Sequence, residues 1–173
     1  MEQRVQSGSI FPKSVGPPAL NLVDVLPNHP TKTYGRRQLG DIEYLVIHHT
    51  GVDMTGTPVE IAEGVARYHI DTYNWPGCGY HAIIAKGGEI MLTNYFTTVS
   101  YNVAGRNKEC LGICLEGNFT THSPTGSQLM ALDALLTYLQ QELPWTEITF
   151  HKEIALPEYP TSCPGNLFPY ESF

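Results

Sequence analysis

Residues 43–49 read Glu43-Tyr44-Leu45-Val46-Ile47-His48-His49. The apolar run from Tyr44 to Ile47 is too short for a helix. It is rich in β-propensity, and a polar, glycine-containing loop from Gly51 to Thr57 follows it. Such a run reads as a fully buried central strand, the kind found in parallel sheets. Two histidines close it. Successive strand side chains point to opposite faces, so only one of the pair can face a given cleft. Open α/β sheets place their sites at the carboxyl ends of central strands. His48 is therefore a candidate site residue, and His49 reads as structural.

Working outward, Thr57-Pro58-Val59-Glu60 has a capping threonine, a proline at the first helical position and a glutamate three residues after the cap. This is a helix start. The helix should carry Ile61, Val65 and Tyr68 or His69 on one face and end near Thr72. Tyr80–Lys86 and Glu89–Thr93 flank Gly87-Gly88, a tight-hairpin signal. Leu111–Glu116 reads as another buried strand. Thr125–Leu143 places Leu129, Leu132, Leu135, Leu136 and Leu139 at helical spacing, and Pro144 stops it. Ile148–His151 reads as a last short strand, followed by a proline-rich tail to Phe173. Strands and helices alternate except at the hairpin. The expected fold is α/β, with a mixed, mostly parallel central sheet flanked by helices.

Upstream, residues 1–40 hold Pro12, Pro17, Pro18, Pro27 and Pro30 and show little periodicity. They read as an extended arm packed on the domain of residues 41–173, with one short turn around Leu20–Val25. The 173 residues suffice for one domain with a substantial core. The net charge of −7 argues against a nucleic-acid phosphate footprint. No stretch is apolar and long enough to span a bilayer. No apolar run follows Met1 that would serve as a signal-peptide core. The expectation is a cytoplasmic chain until release or export by another route. Cys78, Cys110, Cys114 and Cys163 are irregularly spaced. They read as buried thiols, one of them a possible ligand or nucleophile, and not as a disulfide framework.

Chemistry concentrates in three places. His48 ends the central strand. His151 ends the last strand and precedes a proline-rich loop carrying Thr161-Ser162-Cys163-Pro164-Gly165. Two histidines and a cysteine are a three-ligand set for zinc, whose catalytic sites keep a fourth position open. Against this, Cys163 also reads as an inert buried thiol, or as the nucleophile of a Cys-His hydrolase. Tyr80 opens a strand after Asn74-Trp75-Pro76-Gly77-Cys78-Gly79, where its hydroxyl could orient a reacting group.

Tyr44–Thr50, Gly79-Tyr80-His81, Leu111–Phe119 and His151 through Thr161-Ser162-Cys163-Pro164-Gly165 follow one another in an order that resembles the N-acetylmuramoyl-L-alanine amidase type 2 family. That family includes phage lysozyme of the T7 type and the peptidoglycan recognition proteins. The resemblance implies the amidase fold and a Zn2+ cofactor held by His48, His151 and Cys163. It implies Tyr80 assisting the attacking water and Thr161 stabilising the oxyanion. Its substrate would be peptidoglycan or a muropeptide, cut between the lactyl group and L-alanine in a lytic or autolytic setting. The alternative is a recognition module that binds without cutting. Relatives often have a histidine where Tyr101 or Asn102 stands, and some bacterial relatives have a glutamate where Cys114 stands. Trp75, Asn74, Asn102 and Arg106 are the expected substrate contacts, Arg106 through a stem-peptide carboxylate.

Overall fold

A computed structural model describes residues 16–173. A six-stranded sheet forms the centre, in the order β1-β5-β4-β7-β3-β8. Its strands are β1 (Ala19–Asn21), β3 (Tyr44–His49), β4 (Ala82–Ile84), β5 (Ile90–Leu92), β7 (Cys110–Leu115) and β8 (Glu147–Phe150). The β4–β5 hairpin is antiparallel, and the other neighbouring pairs are parallel. This is the mixed, mostly parallel sheet expected. A separate antiparallel pair joins β2 (Gly35–Arg36) to β6 (Thr98–Val99).

Two long helices cover the sheet. α1 spans Pro58–Tyr73 and starts with the expected capping box, Thr57 accepting from the Glu60 N–H and the Glu60 side chain accepting from the Thr57 N–H. α2 spans Gly126–Glu142, and Thr125 and Gln128 form a second box of the same kind. Each box satisfies amides that the first helical turn leaves unpaired. Alternation along β3 sorts the core. Leu45 and Ile47 join Leu132, Leu135, Leu136 and Leu139 of α2 on one face. On the other face Ile83, Met91 and Cys114 pack against Ile61, Ala62, Val65 and Ala66 of α1. Of the two α1 positions left open above, His69 is buried and Tyr68 is exposed.

Two elements differ from expectation. Ala19–Asn21 of the arm adds an edge strand beside β5, and the turn follows it, with Val25 N–H donating to Leu22 O. Residues 1–15 of the arm lie outside the described residues. His151 starts a short helix, α3 (His151–Ile154), instead of closing a strand, and the Ala155 N–H donates back to His151 O. The tail beyond it is loop with one 3₁₀ turn at Tyr170–Ser172. Among the described residues no helix is long and apolar enough to cross a membrane.

Candidate metal centre and cleft

Strand register brings the first two candidate ligands together. β3 and β8 run parallel with Tyr44 opposite Glu147 and Ile47 opposite Phe150. One step further sets His48 beside His151, and the two rings lie 4.6 Å apart. Neighbouring strands are about 4.8 Å apart, so this spacing follows from the sheet itself. The pleat turns His49 the other way. Its ring packs on Phe119, and Nδ1 accepts from the Phe119 N–H at 3.1 Å.

The loop after α3 returns Cys163 to the same place. Lys152 N–H donates to Cys163 O at 2.9 Å, and Cys163 N–H donates to Thr161 Oγ1 at 3.1 Å. The ligand atoms of His48, His151 and Cys163 all lie within 4.8 Å of one another. His49 N–H donates to Cys163 Sγ at 3.4 Å. All four cysteines are free and buried, as expected without a disulfide framework.

Burial sets the protonation of this group. It holds His48 well below the usual imidazole range, and His151 nearby adds to that, while the Asn102 side chain acts the other way. His151 is lowered to about 4 by burial and then by His49. Both rings are thus neutral, the form that donates a lone pair to a metal. Burial also pushes Cys163 up to about 12, against the His49 N–H. A cation must therefore displace the thiol proton on binding. His48 Nε2 is buried without a hydrogen-bond partner. Two imidazoles and one thiol, preassembled and largely buried, suit zinc in a site that leaves a position open.

The group opens onto a cleft of two lobes that share Trp75, Tyr101, Asn102 and His151. The larger lobe, about 610 Å³, is walled by Thr50, Val52 and Met54, by the α1 face with Tyr68, His69 and Tyr73, and by Tyr80. The second, about 560 Å³, runs along Asn107, Tyr159, Pro160 and Thr161. The Tyr80 ring lies 5.1 Å from His48. Burial first, then the neighbouring thiols, hold its hydroxyl well above the phenol range, so it stays a donor. His69 Nδ1 accepts from the Gly79 N–H at 3.0 Å, which binds α1 to the loop before Tyr80.

The expected substrate contacts divide. Trp75 and Asn102 line both lobes. Asn74 does not line either one: it caps α1 in the left-handed region at φ 57°, and its Oδ1 bonds His29 Nε2 at 2.8 Å. Arg106 is also elsewhere, paired with Glu109 and lying over the Tyr44 ring in a separate polar depression. An acidic neighbour three residues on and an adjacent ring satisfy it locally. Tyr101, named above together with Asn102, lines both lobes as well. Sequence reading missed Tyr73 and Tyr159, whose lone aromatic rings carry no periodic signal. It also missed Arg37, a buried guanidinium that donates to Phe96, Lys108 and Cys110 carbonyls at 2.8 Å each and holds the loop behind the cleft.

Residues 38–166 match the N-acetylmuramoyl-L-alanine amidase family. The chain is similar to the endolysin N-acetylmuramoyl-L-alanine amidase LysCS from Clostridium intestinale, with 30% identity over 92% of this chain and 94% of that one, at a TM-score of 0.71. Its fold is similar to that of peptidoglycan recognition protein-LE, solved in complex with tracheal cytotoxin, at 22% identity over 89% of this chain and 91% of that one and a TM-score of 0.76. Peptidoglycan-recognition protein SC2 of Drosophila melanogaster is 26% identical over 99 residues, 56% of this chain and 54% of that protein. The chain thus spans about half the length of the curated relatives it matches.

Proposed function

We propose a function from one premise: this chain belongs to the N-acetylmuramoyl-L-alanine amidase family. It is a zinc-dependent amidase that hydrolyses the amide between the muramoyl lactyl group and L-alanine of peptidoglycan. The observation that carries this reading is the convergence of His48, His151 and Cys163, from three separate segments, at the floor of an aromatic cleft.

Zinc bound by these three residues would supply Lewis acidity, polarising the carbonyl and making water acidic enough to attack near neutral pH. The chain's own groups do the rest. The rings of Trp75 and Tyr101, which line both lobes, offer flat apolar walls that suit the faces of a sugar-peptide. The Tyr80 hydroxyl donates toward the oxygen that gains charge. Thr161 Oγ1 accepts from Cys163 N–H, so its own proton is free to donate to the same oxygen from the second lobe. The amine of L-alanine leaves with a proton from the solvent-connected side of the cleft.

A module that grips muropeptides without cutting them is the second reading, favoured by the likeness in fold to a recognition protein bound to tracheal cytotoxin. Turnover separates the two. Purified peptidoglycan incubated with the chain should gain new L-alanine amino termini, lose that gain with a chelator, and regain it with zinc. Muropeptide binding with no new termini would leave the recognition reading standing and end the amidase one.

A further inference from the structure

His48 is the most buried of the three candidate ligands, and its two ring nitrogens have different surroundings. Nδ1 lies 3.8 Å from Cys163 Sγ. Nitrogen and sulfur atoms sharing one tetrahedral zinc, at about 2.1 and about 2.3 Å from it, sit roughly 3.6 Å apart. Nδ1 is therefore the nitrogen on the ligand side. Nε2 is buried and unpartnered. Asn102 Oδ1 is also buried and unpartnered, and the Asn102 side chain packs over Gly112, the β7 neighbour of Val46, which shares the His48 face of β3. A donor and an acceptor left unpaired in neighbouring buried side chains are costly apart and favourable together.

Several contacts hold Asn102 there. Its backbone N–H donates to Asn107 Oδ1 at 2.8 Å. Its Nδ2 points to Ser100 O at 3.4 Å, which leaves Oδ1 as the free end of the amide. Gly112, opposite Val46 in the β3–β7 register, makes the room. A Cβ at that position would come within 2.9 Å of Asn102 Cγ and 3.0 Å of its Oδ1.

We infer that Asn102 is a positioning residue for His48, its Oδ1 accepting from Nε2–H and so fixing the tautomer whose Nδ1 lone pair is free for the metal. Metal-binding histidines commonly donate their second ring N–H to such an acceptor, and losing that partner typically costs about 10–100-fold in metal affinity. This role rests on the zinc reading above and differs from a substrate contact, which would leave metal affinity unchanged.

The test is zinc affinity by chelator competition, measured on the full chain and on Asn102→Leu, Asn102→Asp, Gly112→Ala and Cys163→Ala. The expected result is tight binding by the native chain and severe loss in Cys163→Ala. Asn102→Leu and Gly112→Ala should each lose about 10–100-fold. Asn102→Asp, which keeps the acceptor, should stay near native. Long-range proton–nitrogen NMR of the native zinc-loaded chain should show His48 protonated at Nε2, and it decides the matter even if a variant fails to fold. Native-like affinity in Asn102→Leu, or a proton on Nδ1, would overturn this role and leave the zinc reading standing. Equal zinc affinity in the native chain and Cys163→Ala would overturn both.

Discussion

At the scale of single residues, the cleft places one permanent hydroxyl donor next to the candidate ligands. Burial keeps the Tyr80 phenol protonated far above neutral pH. It can therefore donate to an oxygen that gains charge, but it cannot act as a base. Tyr80→Phe should lower kcat on the order of 10²–10³-fold, with KM and zinc affinity near native. Steady-state kinetics on a muropeptide would check this, and an unchanged kcat would remove Tyr80 from the chemistry. At this scale the sequence was only partly legible. His48, His151 and Cys163 stood out because histidines at strand ends and a cysteine between Ser162 and Pro164 are chemically conspicuous. Asn74 and Arg106 stood out as polar loop residues, and the structure places both outside the two lobes. What settles a loop side chain is its nearest partner, here His29 for Asn74 and Glu109 for Arg106.

At the scale of elements, the legible features were those with local causes. The β3 run, the Gly87-Gly88 hairpin and both helix starts are each written within a few consecutive residues. Strand β1 was not readable, because Ala19–Asn21 becomes a strand only by lying beside β5, seventy residues along the chain. The turn of helix after His151 was equally hidden, since Lys152 is held there by Cys163 O. The local signals also carry stability. Thr57→Ala removes the acceptor for Glu60 N–H and the bond between Thr57 Oγ1 and Glu60. It should cost about 1 kcal/mol in urea denaturation, as should Thr125→Ala at the start of α2. The two helices cover opposite faces of the sheet, so the double variant should show the sum. A Thr57→Ala chain as stable as native would mean that the box adds nothing to α1.

At the scale of the whole molecule, two histidines away from the candidate metal ligands make folding sensitive to acid. Burial lowers His69 from 6.5 to about 4, and burial with the Arg37 charge lowers His81 from 6.5 to about 3. Both are neutral in the folded chain and take up protons near 6.5 when it unfolds. Their stabilisation is thus fully present above pH 6.5 and is lost as pH falls toward those lower values. For His69 the loss amounts to about 3 kcal/mol by pH 4. Urea denaturation of the metal-free chain between pH 7 and pH 4 should show this slope, and His69→Gln should flatten it by up to one proton. An unchanged slope in that variant would mean that His69 titrates normally. The pairing of β3 with β8 has its own consequence. A slip of one residue in β8, a four-residue edge strand, would turn His151 to the face that His49 occupies. An ion able to bind only the correct pairing would act as a proofreader of folding, rejecting the misaligned edge before any substrate arrives. Slower amide exchange at Thr149 and Phe150 on adding zinc would be the mark of that proofreading, and unchanged exchange would show the edge to be aligned without it.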